Sequence, residues 1–367
     1  MQEPQVLEKP KILKDIFKKL GISLKDFFHS LLQAIILLFT HPKVFVKKYK
    51  NKIIGVTPLL SLIILFLLYM LLYTVMNGGR RQFGSYEISM IINQGATVAV
   101  IATGAIFIYS IGAFDLALGA SSAIGALAGL IVYNQTGNLF LFFLVSLASC
   151  SAVGIFNALL TALFKLPIYI VTVAMLSILT ALIQVFLNGT PNLRMNDEYF
   201  QTFRNIMNVV WVRILIIGLF FILSLFIFNY TKIGKRNKFM GGNLIAAKQT
   251  GINLGFQILF TFIISGIGVG LGAMLTLSRS STVEMGTNAN IGMDVLMAIV
   301  FGGMPMAGGA KSKVSAGLIG AFSITIFSLI LSLFQLSPGW VQLLKALLFL
   351  AVVMLSYLSN RTKILSR

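Results

Sequence analysis

Acidic residues are scarce in this chain: ten Asp and Glu stand against 29 Lys and Arg in 367 residues. The charged fraction of 11% is less than half of the about 25% usual in soluble domains, which excludes an ordinary water-facing globular surface. Histidine is nearly missing. His29 and His41 both sit within the first 52 residues, so no histidine-based zinc site, triad or general base is available to the rest of the chain. Cys150 is the only cysteine, which rules out an intramolecular disulfide and a cysteine metal site. What is abundant is apolar: 57% of residues are hydrophobic and the mean hydropathy is +0.92. These residues form continuous runs of about 20 rather than alternating stretches of about ten, the pattern of membrane helices and not of a β-barrel. The expected fold is all-α, a polytopic helical bundle whose partner is the lipid bilayer. The formal charge of +19 lies beside apolar spans, where it sets orientation, and no nucleic-acid partner is expected.

In chain order, residues 1–52 form a basic arm with eleven Lys against Glu3, Glu8, Asp15 and Asp26, a net charge of 11 − 4 = +7. Ile12, Ile16, Phe17, Leu20, Phe27, Phe28, Leu31, Leu32 and Ile35 recur near helical spacing, which suggests an amphipathic helix on an anionic leaflet. Acids precede the bases and no cleavage site follows, so a signal peptide is not expected. The transmembrane domain, residues 53–367, reads as ten spans: Ile53–Met76, Ile88–Ile111, Ala113–Tyr133, Leu139–Leu163, Ile168–Leu187, Val209–Tyr230, Asn253–Leu277, Ile291–Met304, Val314–Phe334 and Val341–Leu358. The third and eighth are polar or short enough to be broken. The lysine bias places both termini, the Thr231–Ile252 loop and the loop with Lys311 and Lys313 on the cytoplasmic side.

Acids inside a bilayer cost about 2.5–3.5 kcal/mol at mid-span, so Asp115 and Asp294 should face a protein interior or a watery path. They fall one in each half of the chain, in the two suspect spans, which hints at two internal repeats. Each is either a helix-capping carboxylate within a packed bundle or a residue in contact with a solute. Thr231 to Ile252 is polar, contains five basic residues and no acid, and is punctuated by Gly241-Gly242, by Asn243 as N-cap and by Gly251 as C′ residue. Leu244 to Thr250 has room for about two helical turns, too few to be stable alone in water. Something must pack on it: a soluble partner, admitted by the small Ala246 and Ala247 and met by Lys248, or lipid headgroups beneath a mere connector. The run Gly303 to Ser312 looks superficially like a phosphate loop, but its lysine is displaced and no strand precedes it, so the chain has no nucleotide site of its own.

From about Asn93 onward the chain resembles the ribose-type sugar permease family, the membrane subunits of ATP-binding-cassette importers. Phe114-Asp115-Leu116-Ala117-Leu118-Gly119 is similar to the family's Asp-Leu-Ser-Val-Gly segment. Gly154 to Asn157, then Leu166-Pro167-Ile168-Tyr169-Ile170-Val171-Thr172, resemble its Gly-Xaa-Xaa-Asn-Gly and Leu-Pro-Xaa-Phe-Ile-Xaa-Thr pair, with Ala158 in place of a glycine. Gly241 to Ile252 resembles the coupling helix, Asp294 with Gly302-Gly303 and Gly308-Gly309 the double-glycine segment, and Trp340-Val341-Gln342 to Lys345 the closing helix. The resemblance implies that Asn243, Leu244, Ala246, Ala247, Lys248, Thr250 and Gly251 couple to cytosolic ATPase subunits, which bind the ATP and Mg. It implies a translocation pathway along Asp115, Asn157, Thr172 and Asp294, and structural roles for Gly119 and the paired glycines. Leu244-Ile245 replace frequent acids, so a more apolar ATPase groove is expected. Further implied partners are a second permease subunit, identical or related, and an extracytoplasmic solute-binding protein, in a bacterial cytoplasmic membrane. The expected solute is a monosaccharide such as ribose, with a nucleoside as alternative; the rival class is an ion-coupled secondary transporter using Asp115 or Asp294.

Overall fold

The computed structural model describes residues 42–76, 83–207 and 209–364. The chain divides into two compact units, residues 1–57 and 58–367. Residues 1–41, which hold the expected amphipathic helix, lie outside the described residues. The first unit contributes the start of α1 (Pro42–Met76). In the second follow α2 (Ser85–Ser110), α3 (Leu118–Thr136), α4 (Leu139–Phe164), α5 (Ile168–Leu187), β1 (Asn192–Arg194), α6 (Asp197–Met207) and α7 (Val210–Tyr230). The remainder comprises α8 (Lys232–Gly242), α9 (Leu244–Gln249), α10 (Leu254–Ser280), β2 (Thr282–Glu284), α11 (Ile291–Phe301), α12 (Val314–Leu333) and α13 (Pro338–Ile364).

Seven helices among the described residues are long and apolar enough to cross a membrane: those beginning at Val56, Ser85, Leu139, Ile168, Val210, Leu254 and Val314. The protein is a multi-pass helical bundle, but the expected ten spans are corrected at three places. The third begins only at Leu118, because Gly112 to Ala117 is not helical, and α3 is rich in small and polar residues buried against neighbours rather than lipid. The eighth, α11, has eleven residues and is about 16 Å long, short of the roughly 30 Å of bilayer core. The tenth starts earlier, at Pro338, as the first turn of α13.

Glycine lets α10 stand at the centre. A Cβ on Gly266 would lie 2.8 Å from Ser151 Cα and one on Gly270 2.9 Å from Leu147 Cα, both on α4. On the opposite face, a Cβ on Gly268 would lie 3.1 Å from Gly104 Cα of α2. Small residues allow such backbone approach, the usual way for helices to pack without a hydrophobic driving force. Apolar side chains of α4, α5 and α7 meanwhile point outward, as lipid-facing surfaces do.

At one end of the bundle an antiparallel ribbon pairs Asn192 with Glu284, Leu193 with Val283 and Arg194 with Thr282, joining residues 88 to 92 positions apart. Asn134 fastens it: its Nδ2 donates to the Arg194 carbonyl at 2.9 Å and its Oδ1 accepts from Asn196 N–H at 2.9 Å. Beside it, α6 buries Phe203 and Met207, one turn apart. Neither the ribbon nor α6 is expected from the hydropathy pattern. The opposite end carries α8, α9 and the turn between α11 and α12, where Gly309 N–H donates to the Ser110 carbonyl at 2.9 Å.

Candidate functional site

A cavity of about 250 Å³ opens near the ribbon end, lined by Gln94 of α2, Arg279 of α10, Asn290 and Asp294 at the start of α11, Ser328 of α12 and Lys345 of α13. Lys345 Nζ donates to Asp294 Oδ1 at 2.9 Å, with the two side chains only 9% and 17% exposed. Each charge thereby removes the other's cost of sitting among apolar helices. The loop before α11 is fixed by Asn288, which takes φ +60° and whose Nδ2 donates to Ser122 Oγ at 2.6 Å and Thr276 Oγ1 at 3.0 Å. Lys345 is a partner that a sequence reading could have found, since a cation in an apolar span calls for an acid.

Asp115 lies apart from this cavity lining. Its buried Oδ1 accepts from Ala117 N–H at 2.8 Å and so caps the turn leading into α3. Leu116 N–H, next to it, donates to Thr172 Oγ1 at 3.3 Å, so Asp115 and Thr172 come together as neighbours of one loop. The Leu116 carbonyl abuts Gly292, and a Cβ on Gly119 would run into the Asn288 carbonyl, so this loop underlies the segment that carries Asp294. Asn157 is elsewhere, buried on α4 with its Oδ1 unbonded.

The opposite end holds the short capped helix. Asn243 Oδ1 accepts from Ala246 N–H at 3.0 Å. Gly251, at φ +79°, lets its own N–H reach the Lys248 carbonyl at 3.1 Å and Ile252 N–H reach the Ala247 carbonyl at 3.3 Å, a Schellman closure. Leu244, Ile245, Lys248 and Thr250 are exposed, Ala246 partly so. Ala247 is fully buried, contrary to the expectation that it faces a partner: its small size serves contact with its own chain. The preceding α8 is locked by Asn237, also fully buried, whose Nδ2 donates to the Phe107 carbonyl at 3.1 Å. Its Oδ1 accepts from Gln257 Nε2 at 2.6 Å and Thr261 Oγ1 at 3.2 Å. One amide thus ties α8 to the ends of α2 and α10, a role invisible in a lysine-rich loop. On α8, burial holds the Lys238 ammonium below the ordinary lysine range, and it lies 4.5 Å from the Phe228 ring centre. Gly302 packs on the Ala316 backbone, while Gly303, Gly308 and Gly309 supply the positive φ angles of the adjacent turn.

The family described as branched-chain amino acid transport system / permease component matches residues 87–353. The chain belongs to that permease family. The ribose import permease protein of Haemophilus influenzae is 28% identical over 277 residues, covering 74% of this chain and 85% of the relative. That of Escherichia coli strain K12 is 25% identical over 273 residues, with 72% and 83% covered. The fructose import permease protein of Rhizobium meliloti is 24% identical over 323 residues, with 85% and 89% covered. The likeness to ribose-type permease subunits read from the five segments is borne out. No solved structure matches significantly.

Proposed function

We propose that this permease is the transmembrane subunit of an ATP-driven importer of a small polar solute, a monosaccharide of the ribose kind. Relatives whose names include ribose, fructose and galactose support the solute class. The observation that carries the drive is α9: it is capped at both ends, held through Ala247 and the Asn237 latch, and presents Leu244 and Ile245, 52% and 72% exposed among the described residues. A helix of six residues survives only if it is held from one side, and its apolar outer face then remains for a partner. That partner is a cytosolic ATPase subunit, which binds ATP and Mg. The loop end is cytoplasmic, the ribbon end faces outward to a solute-binding protein, and a second permease subunit completes the pore. Movement of the ATPase at α9 passes through Asn237 to α2 and α10, and so to the loops around Asp115 and Asp294. Ion-coupled transport is disfavoured because Asp294 is engaged by Lys345 and Asp115 by Ala117 N–H.

Ile245→Glu tests the reading. Burying an isoleucine in a partner's groove contributes about 1.5–3 kcal/mol, and a carboxylate there forfeits it. Substrate-stimulated ATP hydrolysis by the reconstituted complex should fall at least tenfold while insertion and folding persist. Lys248→Gln should change it less than twofold, since an exposed ion pair is worth about 0–1 kcal/mol. Full coupled hydrolysis in Ile245→Glu would make α9 a connector.

A further inference from the structure

We propose that the cavity between α2, α10, α11, α12 and α13 is a solute-binding site within a single permease subunit, selective for a neutral polyhydroxylated ring over a nucleoside. The proposal rests on the import reading above and extends it to a place and a chemistry. Charged residues in a membrane bundle are costly and mark watery or solute paths, and Arg279, Asp294 and Lys345 converge here from different helices. The space sets the size: about 250 Å³ lies just below the about 300–1,000 Å³ usual for ligand pockets, which suits one sugar ring and not two.

Its lining is unusually well supplied with unused hydrogen-bonding capacity. Among the described residues the side-chain amides of Gln94 and Asn290 make no hydrogen bond, and each offers two donors and an acceptor. Ser328 Oγ donates to the Ile324 carbonyl at 2.7 Å, so its lone pairs remain to accept from a ligand hydroxyl. Asp294 spends Oδ1 on Lys345 and keeps Oδ2, and the ammonium keeps two of its three donors. The Asp294–Lys345 pair cancels in charge, so the only uncompensated charge among the described lining residues is that of Arg279. Arg279 adds a fork of donors at the mouth. Among the described residues the lining contains no aromatic ring, so a nucleobase finds no face to stack on, and the apolar portion, from Val98, Ala289 and Ile291, is small.

Cysteine protection tests it on the assembled permease–ATPase complex in a Cys150→Ser background. Ser328→Cys should react with a small maleimide, and millimolar ribose, arabinose, fructose or galactose, at least one of them, should slow the reaction five-fold or more. Adenosine should not, and Thr202→Cys on α6 should label at the same rate throughout. Asn290→Leu should shift the protecting concentration of that sugar upward at least tenfold. If Ser328→Cys does not assemble, Gln94→Cys takes its place with the same expectation. Proteoliposome uptake of the same four sugars by the unsubstituted complex separates the two levels. Uptake without protection overturns the cavity assignment alone, protection by adenosine equal to sugar overturns the selectivity, and no uptake of any of the four overturns the sugar reading and this inference with it.

Discussion

Lys345→Met keeps the length of the side chain and removes the ammonium that lies 2.9 Å from Asp294 Oδ1. Breaking a fully buried ion pair from one side costs about 3–5 kcal/mol, because the remaining charge has neither water nor partner. Here Asp294 retains 17% exposure and borders a cavity of about 250 Å³, so part of its hydration is recovered. The expected loss is therefore about 2–3 kcal/mol, roughly 30- to 150-fold in the unfolding equilibrium. Asp294→Asn keeps an acceptor for the ammonium and should cost about 1–2 kcal/mol. The double variant holds no unpaired charge, so it should be no less stable than Lys345→Met alone, giving a coupling energy of at least about 1 kcal/mol. Denaturant titration in mixed micelles, with each variant checked for monodispersity, measures all four corners of the cycle. A coupling below about 0.5 kcal/mol would mean that the two residues act independently, as exposed pairs do, and would refute the claim that the pair stabilises the α11–α13 contact.

Asn237→Ala removes three buried hydrogen bonds, although the Phe107 carbonyl and the Gln257 and Thr261 side chains each keep another partner; at about 0.5–1.5 kcal/mol per lost bond, α8 should loosen, read as faster proteolysis of 232–252 and as loss of solute-stimulated ATP hydrolysis. Gly251→Ala meets no neighbouring atom but must hold φ +79°, so it should cost about 1–2 kcal/mol locally and weaken coupling, while Gly251→Asn, tolerant of that region, should retain most of it. Gly154→Leu places a Cβ 2.8 Å from the Phe262 carbonyl and should collapse the folded yield on size exclusion, whereas Gly218→Leu, with nothing within 4 Å, should leave it unchanged. In a Cys150→Ser background, Thr202→Cys should react with an impermeant maleimide on whole cells and Thr250→Cys and Ser312→Cys should not; labelling of Thr250→Cys from outside would invert the assigned orientation.

The long apolar runs and the caps were legible because both are local: hydropathy is a property of a window, and Asn243 and Gly251 act on their own turn. That the third span is interrupted was legible for the same reason, since it is polar and glycine-rich, but its start was set at Ala113 and not at Leu118. What escaped was set by contacts between distant segments. Lys345 and Asp294 are 51 positions apart, Gln257 and Asn237 20 apart, and the three-residue strands have no pattern of their own. The inward face of Ala247 was hidden because two turns of helix carry too few residues for a periodicity to show which side is covered. Of the four residues expected along the pathway, Asp294 lines the cavity, Asp115 sits on the loop beneath with Thr172 of α5 against it, and Asn157 stays apart, a grouping that only the packing of glycines 119 and 292 reveals.

Helix α10 touches α4 and α2 through main chain, with Gly266 and Gly270 on one side and Gly268 on the other. Interlocked side chains resist axial displacement because each must leave its rotamer to pass the next. A seam made largely of backbone has fewer such teeth, though Ile101 of α2 still packs on Gly272. Small sliding along it therefore requires few side-chain rearrangements, and the two glycine tracks define the directions in which this bundle yields most readily to shear. A bulky residue on either track would act as a wedge, holding the helices apart and stopping the slide before it had begun.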